Sequence, residues 1–326
     1  MRRRDFITLM GGTAATWPLR VRAQQGALPT IGFLHSGAVG GYRNLLIAMR
    51  KGLADAGFVD GQNLTIEYRW AEGRFERLPE LASELIDRGA RVIITGGIGS
   101  ALGVRKASAT IPLVFLAGDD PVKFGLVESL NRPGGAATGV AWLTSELFTK
   151  RLEILHDLVP RPRLIGVLIN PESPEVEPQI SEIETAAHAI GQPIHTVHAS
   201  RDADFEAAFE SLAARAADGL IVTNDAYFNG RRERIIALAA ERRIPAIYDR
   251  REYVSAGGLI SYGTSYAAAY RQLGLYAAKI LAGAKLSDLP VEQASKFELA
   301  INLKTAAMLS LDIPPKILAL ADEVIE

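Results

Sequence analysis

Short, unbroken apolar runs along the chain alternate with stretches in which apolar residues recur every three to four positions. The runs are Ile31–His35, Leu64–Tyr68, Val92–Thr95, Leu113–Leu116, Leu164–Ile169, Ile194–His198, Leu220–Thr223, Ala246–Tyr248 and Leu259–Tyr262. Each predicts a β-strand. Their hydrophobicity is continuous rather than alternating, which implies burial on both faces and hence a parallel sheet. Helical periodicity fills most of the gaps, over Leu45–Ala56, Leu78–Arg88, Glu182–Ile190, Phe205–Ala216, Arg232–Arg243 and Tyr266–Leu281. Alternation of this kind predicts a doubly wound α/β architecture.

The order of elements also repeats. In the first half a helix ending in LADAGF leads to LTIEY, FERLPELASELIDRG, VIIT and TIPLVF; in the second, AAHAIGQ leads to IHTVH, DFEAAFESLAARAADG, LIVT and RIPAIY. Two doubly wound parallel-sheet lobes with a cleft between them account for this repeat. A closed barrel would need eight regular units, which the spacing does not supply. The turn-rich NRPGGAATG (Asn131–Gly139), continued by Val140–Ser145, reads as the crossing between lobes, and 257–263 as the return. The expected division is 28–140 plus 260–288 in the first lobe and 144–257 plus 290–326 in the second.

Composition narrows the function. The chain has 326 residues, 48% hydrophobic, with no cysteine, which excludes disulfides, thiolate metal sites and a cysteine nucleophile. A formal net charge of −1 argues against a nucleic-acid partner. The basic run Arg231, Arg232 and Arg234 is interleaved with Ile235, Ile236 and Leu238, as on a solvated helix face. At the start, MRRRDFITLMGGTAATWPLRVRAQQ has a charged head, a modest apolar stretch and small residues at Val21 and Ala23. It reads as an export signal over 1–23, cleaved near Ala23, with Arg3-Arg4 ahead of Asp5-Phe6-Ile7 in the manner of a twin-arginine motif. Its removal takes away five arginines and one aspartate, leaving a charge of about −5. The expectation is a soluble periplasmic protein with no membrane anchor, since no apolar run reaches the ~20 residues of a span.

In a parallel sheet, ligands collect beyond the carboxyl ends of the strands. The residues there are His35-Ser36-Gly37, Thr95-Gly96-Gly97, Gly118-Asp119-Asp120, Asn170-Pro171, Thr223-Asn224-Asp225 and Tyr248-Asp249. The turn VIITGGIGSALG invites a dinucleotide reading, but three residues rather than two separate Gly99 from Gly103, and no tyrosine has a lysine four residues later. A helix opening near Ser100 could meet a carboxylate with its free amides, with Gly96 and Gly97 admitting close approach; an ordinary tight turn fits equally. Asp119 and Asp120, before Pro121, read as a helix cap, one of them free to reach an ammonium. His195 and His198 are three apart on a strand, point to opposite faces, and form no metal pair. No nucleophile elbow surrounds Ser36 or Ser145. Asn224, Asp225 and Tyr227, with Tyr248 and Tyr262 at two other strand ends, supply the rings and convergent polar groups of a small-molecule pocket. The candidate ligand set is therefore Ser36, Gly96, Gly97, Ser100, Asp119, Ser145, Asn224, Asp225, Tyr227, Tyr248 and Tyr262, with no catalytic residue, metal or cofactor.

Several longer stretches, RRRDFITLMGG with RAQQ, EYRWAEGRFERLPELA, GDDPVKFGLVESLNRPGGAATGV, AGGLISYG and FELAINLKTA with ADEVIE, span nearly the whole chain. In these the chain resembles the solute-binding proteins of ABC importers, within the type I periplasmic-binding-protein superfamily, and specifically the subfamily of tryptophan/tyrosine importer components. The resemblance implies two lobes joined by three crossings and a small amino acid or other carboxylate-bearing solute, aromatic in some relatives. It also implies hinge closure and, as partners, a permease driven by a separate ATPase, with the receptor a monomer. A short-chain oxidoreductase and the ligand-sensing domain of a regulator are the alternatives.

Overall fold

The computed structural model describes residues 28–142 and 144–326; the export signal read over 1–23 lies outside the described residues. The first lobe begins β1 (Thr30–His35), α1 (Arg43–Asp55), β2 (Thr65–Trp70), α2 (Leu78–Asp87), β3 (Ala90–Thr95), α3 (Ile98–Ala107), β4 (Leu113–Ala117) and β5 (Ala137–Ala141). The second runs from α4 (Thr144–Leu158) through β6 (Ile165–Ile169), α5 (Val176–Ala189), β7 (Ile194–His198), α6 (Asp204–Ala214), β8 (Gly219–Val222), α7 (Ala226–Gly230), α8 (Arg232–Glu241), β9 (Ala246–Tyr248) and α9 (Arg251–Ser255) to β10 (Ile260–Thr264). There follow α10 (Tyr266–Leu281), β11 (Glu292–Gln293), β12 (Phe297–Asn302), α11 (Leu303–Met308), α12 (Pro315–Leu320) and β13 (Glu323–Ile325).

The nine apolar runs all become strands, and they sort into two sheets of the same design. One sheet has the order β2-β1-β3-β4-β5-β11, the other β7-β6-β8-β9-β10-β12-β13. Within each, the first five strands are parallel and stand in the order second, first, third, fourth, fifth. The internal repeat is therefore a repeat of topology. Helices cover both faces, as doubly wound sheets require. In the first lobe Met49 and Leu53 of α1 and Leu273 and Ala277 of α10 pack on Phe33 and Ile94, while Leu81 and Leu85 of α2 and Ala101 and Val104 of α3 pack on Ile93 and Phe115. The second lobe repeats this with α6 and α8 on one side and α4 and α5 on the other.

The lobe boundaries depart from expectation in three places. Residues 137–141, read as part of a turn, form the fully buried strand β5. Residues 260–264, assigned to the first lobe, pair with β9 and β12 in the second sheet, so the chain crosses at Ser265, where α10 begins its packing on the first lobe. Glu292 and Gln293, assigned to the second lobe, pair with β5 in the first sheet. An apolar run records that a strand is buried, not which of two similar sheets buries it.

Helices α1 and α10 touch through bare backbone. A Cβ on Gly52 would overlap the Arg271 carbonyl, and one on Gly274 would overlap the Met49 carbonyl. The same crossing is pinned at its rim by Arg271, whose Nε lies 2.9 Å from Asp55 Oδ2. Gly274→Val is expected to force the pair apart and cost about 1–3 kcal/mol, as overpacked interiors do. Thermal unfolding followed by circular dichroism measures this; a melting temperature equal to wild type would show that the crossing is not a close-packed constraint.

Candidate functional site

In a sheet ordered second, first, third, fourth, fifth, the direction of winding reverses between the first and third strands, and the loops leaving those two strands diverge to open a crevice. The two lobes place these crevices face to face. Ser36 follows β1, and Gly96 and Gly97 follow β3; opposite them, Ser173 and Glu175 follow β6, and Asn224 and Asp225 follow β8. With Arg250 after β9 and Tyr266 at the head of α10, they bound a small cavity between the lobes.

The lobes are in contact around it. Asn229 Nδ2 of the second lobe donates to the Gly41 carbonyl of the first at 3.3 Å. A Cβ on Gly118 would stand 2.7 Å from Asn224 Nδ2 and 3.1 Å from Glu175 Oε1. The cleft is shut.

One end of the cavity is organised by a buried cation. Arg250 is 4% exposed; its Nε lies 2.9 Å from Asp249 Oδ2 and its Nη2 3.0 Å from Asn224 Oδ1. The guanidinium sits 3.8 Å above the ring of Tyr266, whose hydroxyl is 3.0 Å from both Asn224 Oδ1 and Asp249 Oδ2. Burial opposes the Arg250 charge most strongly, but Asp249, Tyr266 and Tyr42 together outweigh it and raise the guanidinium's pKa well above its ordinary value. Arg250 Nη1 is buried and has no hydrogen-bond partner among the described residues. An unsatisfied N–H on a charged group is costly to bury, so this atom is the natural contact for an anionic oxygen.

The lining is also acidic. Burial, with Asp119 and Asp225 nearby and Glu182 contributing less, pushes the Glu175 carboxyl up to about 8. Burial also raises Asp225, although its Oδ1 accepts the amides of Tyr227 at 2.8 Å and Phe228 at 3.1 Å as the cap of α7. Gln179 Nε2 donates to the Asn224 carbonyl at 3.0 Å and steadies this turn. Beneath Ser36, His35 Nδ1 accepts the Gly37 amide at 2.8 Å, so the neutral ring carries its proton on Nε2. Burial and then Arg250 hold that imidazole down to about 3, which keeps it neutral at physiological pH. The aromatic lining is Tyr42, Phe75, Trp142, Tyr266 and Tyr270.

Of the residues expected from sequence, Ser36, Gly96, Gly97, Asn224 and Asp225 line the cavity. Ser100 is buried in the first turn of α3, its Oγ without a partner among the described residues. Asp119 stands one residue beyond the lining Gly118; its Oδ1 accepts the Asp120 amide at 2.6 Å and its Oδ2 has no partner among the described residues. No helix starts at Pro121: Asp120 Oδ1 takes the Val122 amide at 3.0 Å in a local turn. Ser145 falls in α4, but its side chain lies outside the described residues.

Three tyrosines are corrections. Tyr227 points away from the cavity, stacked on Phe205 under the Arg231 guanidinium, its hydroxyl donating to Asp202 at 2.7 Å. Tyr248 is stacked on Tyr253 at 4.4 Å inside the second-lobe core. Tyr262 stacks on Phe297 of the neighbouring strand. Tyr248 and Tyr262 belong to β9 and β10, and in-strand side chains stand perpendicular to the sheet, under its helices. Arg250 and Tyr266 lie just beyond those strands and take the places expected of the tyrosines. Trp142, which follows β5, was hidden because β5 itself was.

Residues 43–325 match the family described as ABC transporter substrate binding protein. A tyrosine-binding protein of Clostridioides difficile is 28% identical over 261 residues, 80% of this chain and 75% of that one. Among solved structures, a conserved domain protein from Vibrio cholerae superposes with a TM-score of 0.84 at 25% identity, over 91% of this chain and 99% of its own. An ABC domain in complex with L-Trp from Streptococcus pneumonia does so with 0.83 at 23% identity, over 92% and 100%. Two switch points closed on one solute-sized cavity are the architecture such a receptor needs, and the chain belongs to the ABC transporter substrate-binding protein family.

Proposed function

We propose that the protein is a receptor for a free aromatic α-amino acid, which it captures by closing its lobes and delivers to an importer's permease, the ATPase being a separate chain. One observation carries this reading: a single shut cavity is lined by Arg250, whose Nη1 has no partner among the described residues, by the carboxyls of Glu175 and Asp225, and by aromatic rings. That is the complement of a zwitterion with a ring. The solute carboxylate meets Arg250 Nη1, helped by the amides opening α3, and its ammonium meets Asp225 and Glu175. The tyrosine-binding relative and the L-Trp-bound structural neighbour support the solute class. Family membership favours neither the oxidoreductase nor the regulator alternative. Among the described residues no helix is long and apolar enough to cross a membrane. With the export signal read over 1–23, the proposed location is the periplasm and the proposed state a monomer.

Calorimetric titration with L-tyrosine and L-tryptophan should reveal saturable binding of at least one. Arg250→Gln should weaken it by about ten- to a hundredfold, the worth of a charge-assisted hydrogen bond of ~1.5–3 kcal/mol. Unchanged affinity in a folded variant would remove Arg250 from the site.

With its carboxyl near 8, Glu175 is largely protonated at pH 7. An ammonium beside it favours the charged form and lowers its pKa, so binding at pH 7 expels a proton. Affinity should therefore climb as pH rises from 6 towards 8 and level off once Glu175 is ionised in the free protein. Glu175→Gln should flatten that slope. Titrations in two buffers of different ionisation enthalpy measure the proton directly; identical heats would show that the ammonium does not meet Glu175.

A further inference from the structure

A second, more open space begins where the solute cavity ends. Phe75 and Gly99 border both, and the outer groove is the larger and more open of the two. Its floor is apolar, formed by Leu78, Leu102, Phe124 and Leu126, and its rim carries Lys106 of the first lobe and Glu172 of the second.

The partition between the two spaces is one ring. A Cβ on Gly99 would stand 2.8 Å from Phe75 Cε1 and 3.2 Å from Pro174 Cγ, so the ring lies on bare backbone with a second-lobe proline beside it. Phe75 is partly buried and packs on the first-lobe core beneath α2 and α3. Its approach is fixed by the turn before it: Glu72 (φ 55°) and Gly73 (φ 89°) are left-handed, and their amides donate to the Gly37 and Ser36 carbonyls at 3.2 and 2.7 Å. The ring is thus tied to the same loop after β1 that lines the solute cavity.

We propose that Phe75 sets the length of solute this site accepts. With the ring in place the cavity confines a single amino acid; behind it the groove is a latent subsite for the next residue of a peptide. Each further residue needs roughly 3.3–3.6 Å of path, and Phe75 is the side chain that borders both spaces. The groove suits an extension: apolar surface for a side chain, and a cation and a carboxylate at the rim for the displaced terminus. This inference rests on the amino-acid reading of the cavity and adds a specificity determinant to it.

The test titrates L-tyrosine, L-tryptophan and the dipeptides Tyr-Gly, Gly-Tyr, Trp-Gly and Gly-Trp into wild type, Phe75→Ala, Phe75→Leu and the double variant Phe75→Ala/Leu102→Trp. Wild type should prefer a free amino acid over its dipeptides by about 100-fold or more, within the range that steric exclusion from a pocket provides. Phe75→Ala should narrow that preference at least about tenfold, and Leu102→Trp, by filling the groove, should restore it. Phe75→Leu keeps an apolar group on the core and carries the same test, with a smaller shift, should the alanine variant fail to fold. Wild-type selectivity retained in the Phe75 variants overturns the partition while leaving the amino-acid reading intact. Wild type that binds neither amino acid overturns both.

Discussion

The buried charge of Arg250 is the constraint around which the cleft is built. A guanidinium 4% exposed must be compensated, because an unpaired buried ion costs several kcal/mol. Compensation comes from four places in the chain: Asp249 beside it, Asn224 after β8, the ring of Tyr266 at the head of α10, and backbone order imposed by Gln179 on the Asn224 turn. Tyr266 belongs to a helix packed on the first lobe, whereas Arg250 and Asn224 follow strands of the second. The ion's requirement for partners therefore stitches the lobes together at the crossing at Ser265, next to the solute cavity. What it leaves unsatisfied is Nη1, on a residue that lines the solute cavity.

Closure needs a second condition, which the glycines of the first lobe supply. A Cβ on Gly41, Gly73 or Gly118 would come within 2.7–2.8 Å of Asn229, Tyr227 or Asn224 of the second lobe. One lip is bare backbone and the other carries side chains, so the two can meet without either being displaced. The turn TGGIG takes a different form of the same role. A Cβ on Gly96 would stand 2.5 Å from the Tyr270 hydroxyl, and one on Gly99 would strike Phe75. These glycines make room for the protein's own rings as much as for a solute.

The fold was legible because buried parallel strands write themselves as continuous apolar runs, and nine of them stood out. β5 did not: ATGVA is short, small and glycine-containing, and it sits in a turn-rich neighbourhood. β10 was seen as a strand, but its lobe is decided by pairing partners far along the chain, which no local pattern encodes. In the site, residues taken strictly beyond strand ends, Ser36, Gly96, Gly97, Asn224 and Asp225, line the cavity. Tyr248 and Tyr262 do not, because they are the strands' own residues, Tyr248 turned into the second-lobe core and Tyr262 stacked on Phe297. Two positions beyond the last residue of each strand, Arg250 and Tyr266 line the cavity.

The acidic end of the cavity explains why closure would wait for a solute. Asp119 follows a strand of the first lobe, whereas Glu175 and Asp225 belong to the second. In the empty cleft, burial and like charge disfavour ionisation of Glu175 and Asp225, and Glu175 responds by holding its proton. The shut, empty state thus carries either that proton or the repulsion between carboxylates. A solute ammonium placed among these groups removes that penalty, and its carboxylate satisfies Arg250 Nη1. A ligand can shift an equilibrium only by its differential affinity for the two states, and here both ends of a zwitterion supply that difference. A solute with a carboxylate alone relieves only the Arg250 end. On this reading the free amino group, as much as the ring, commits the lobes to the shut state.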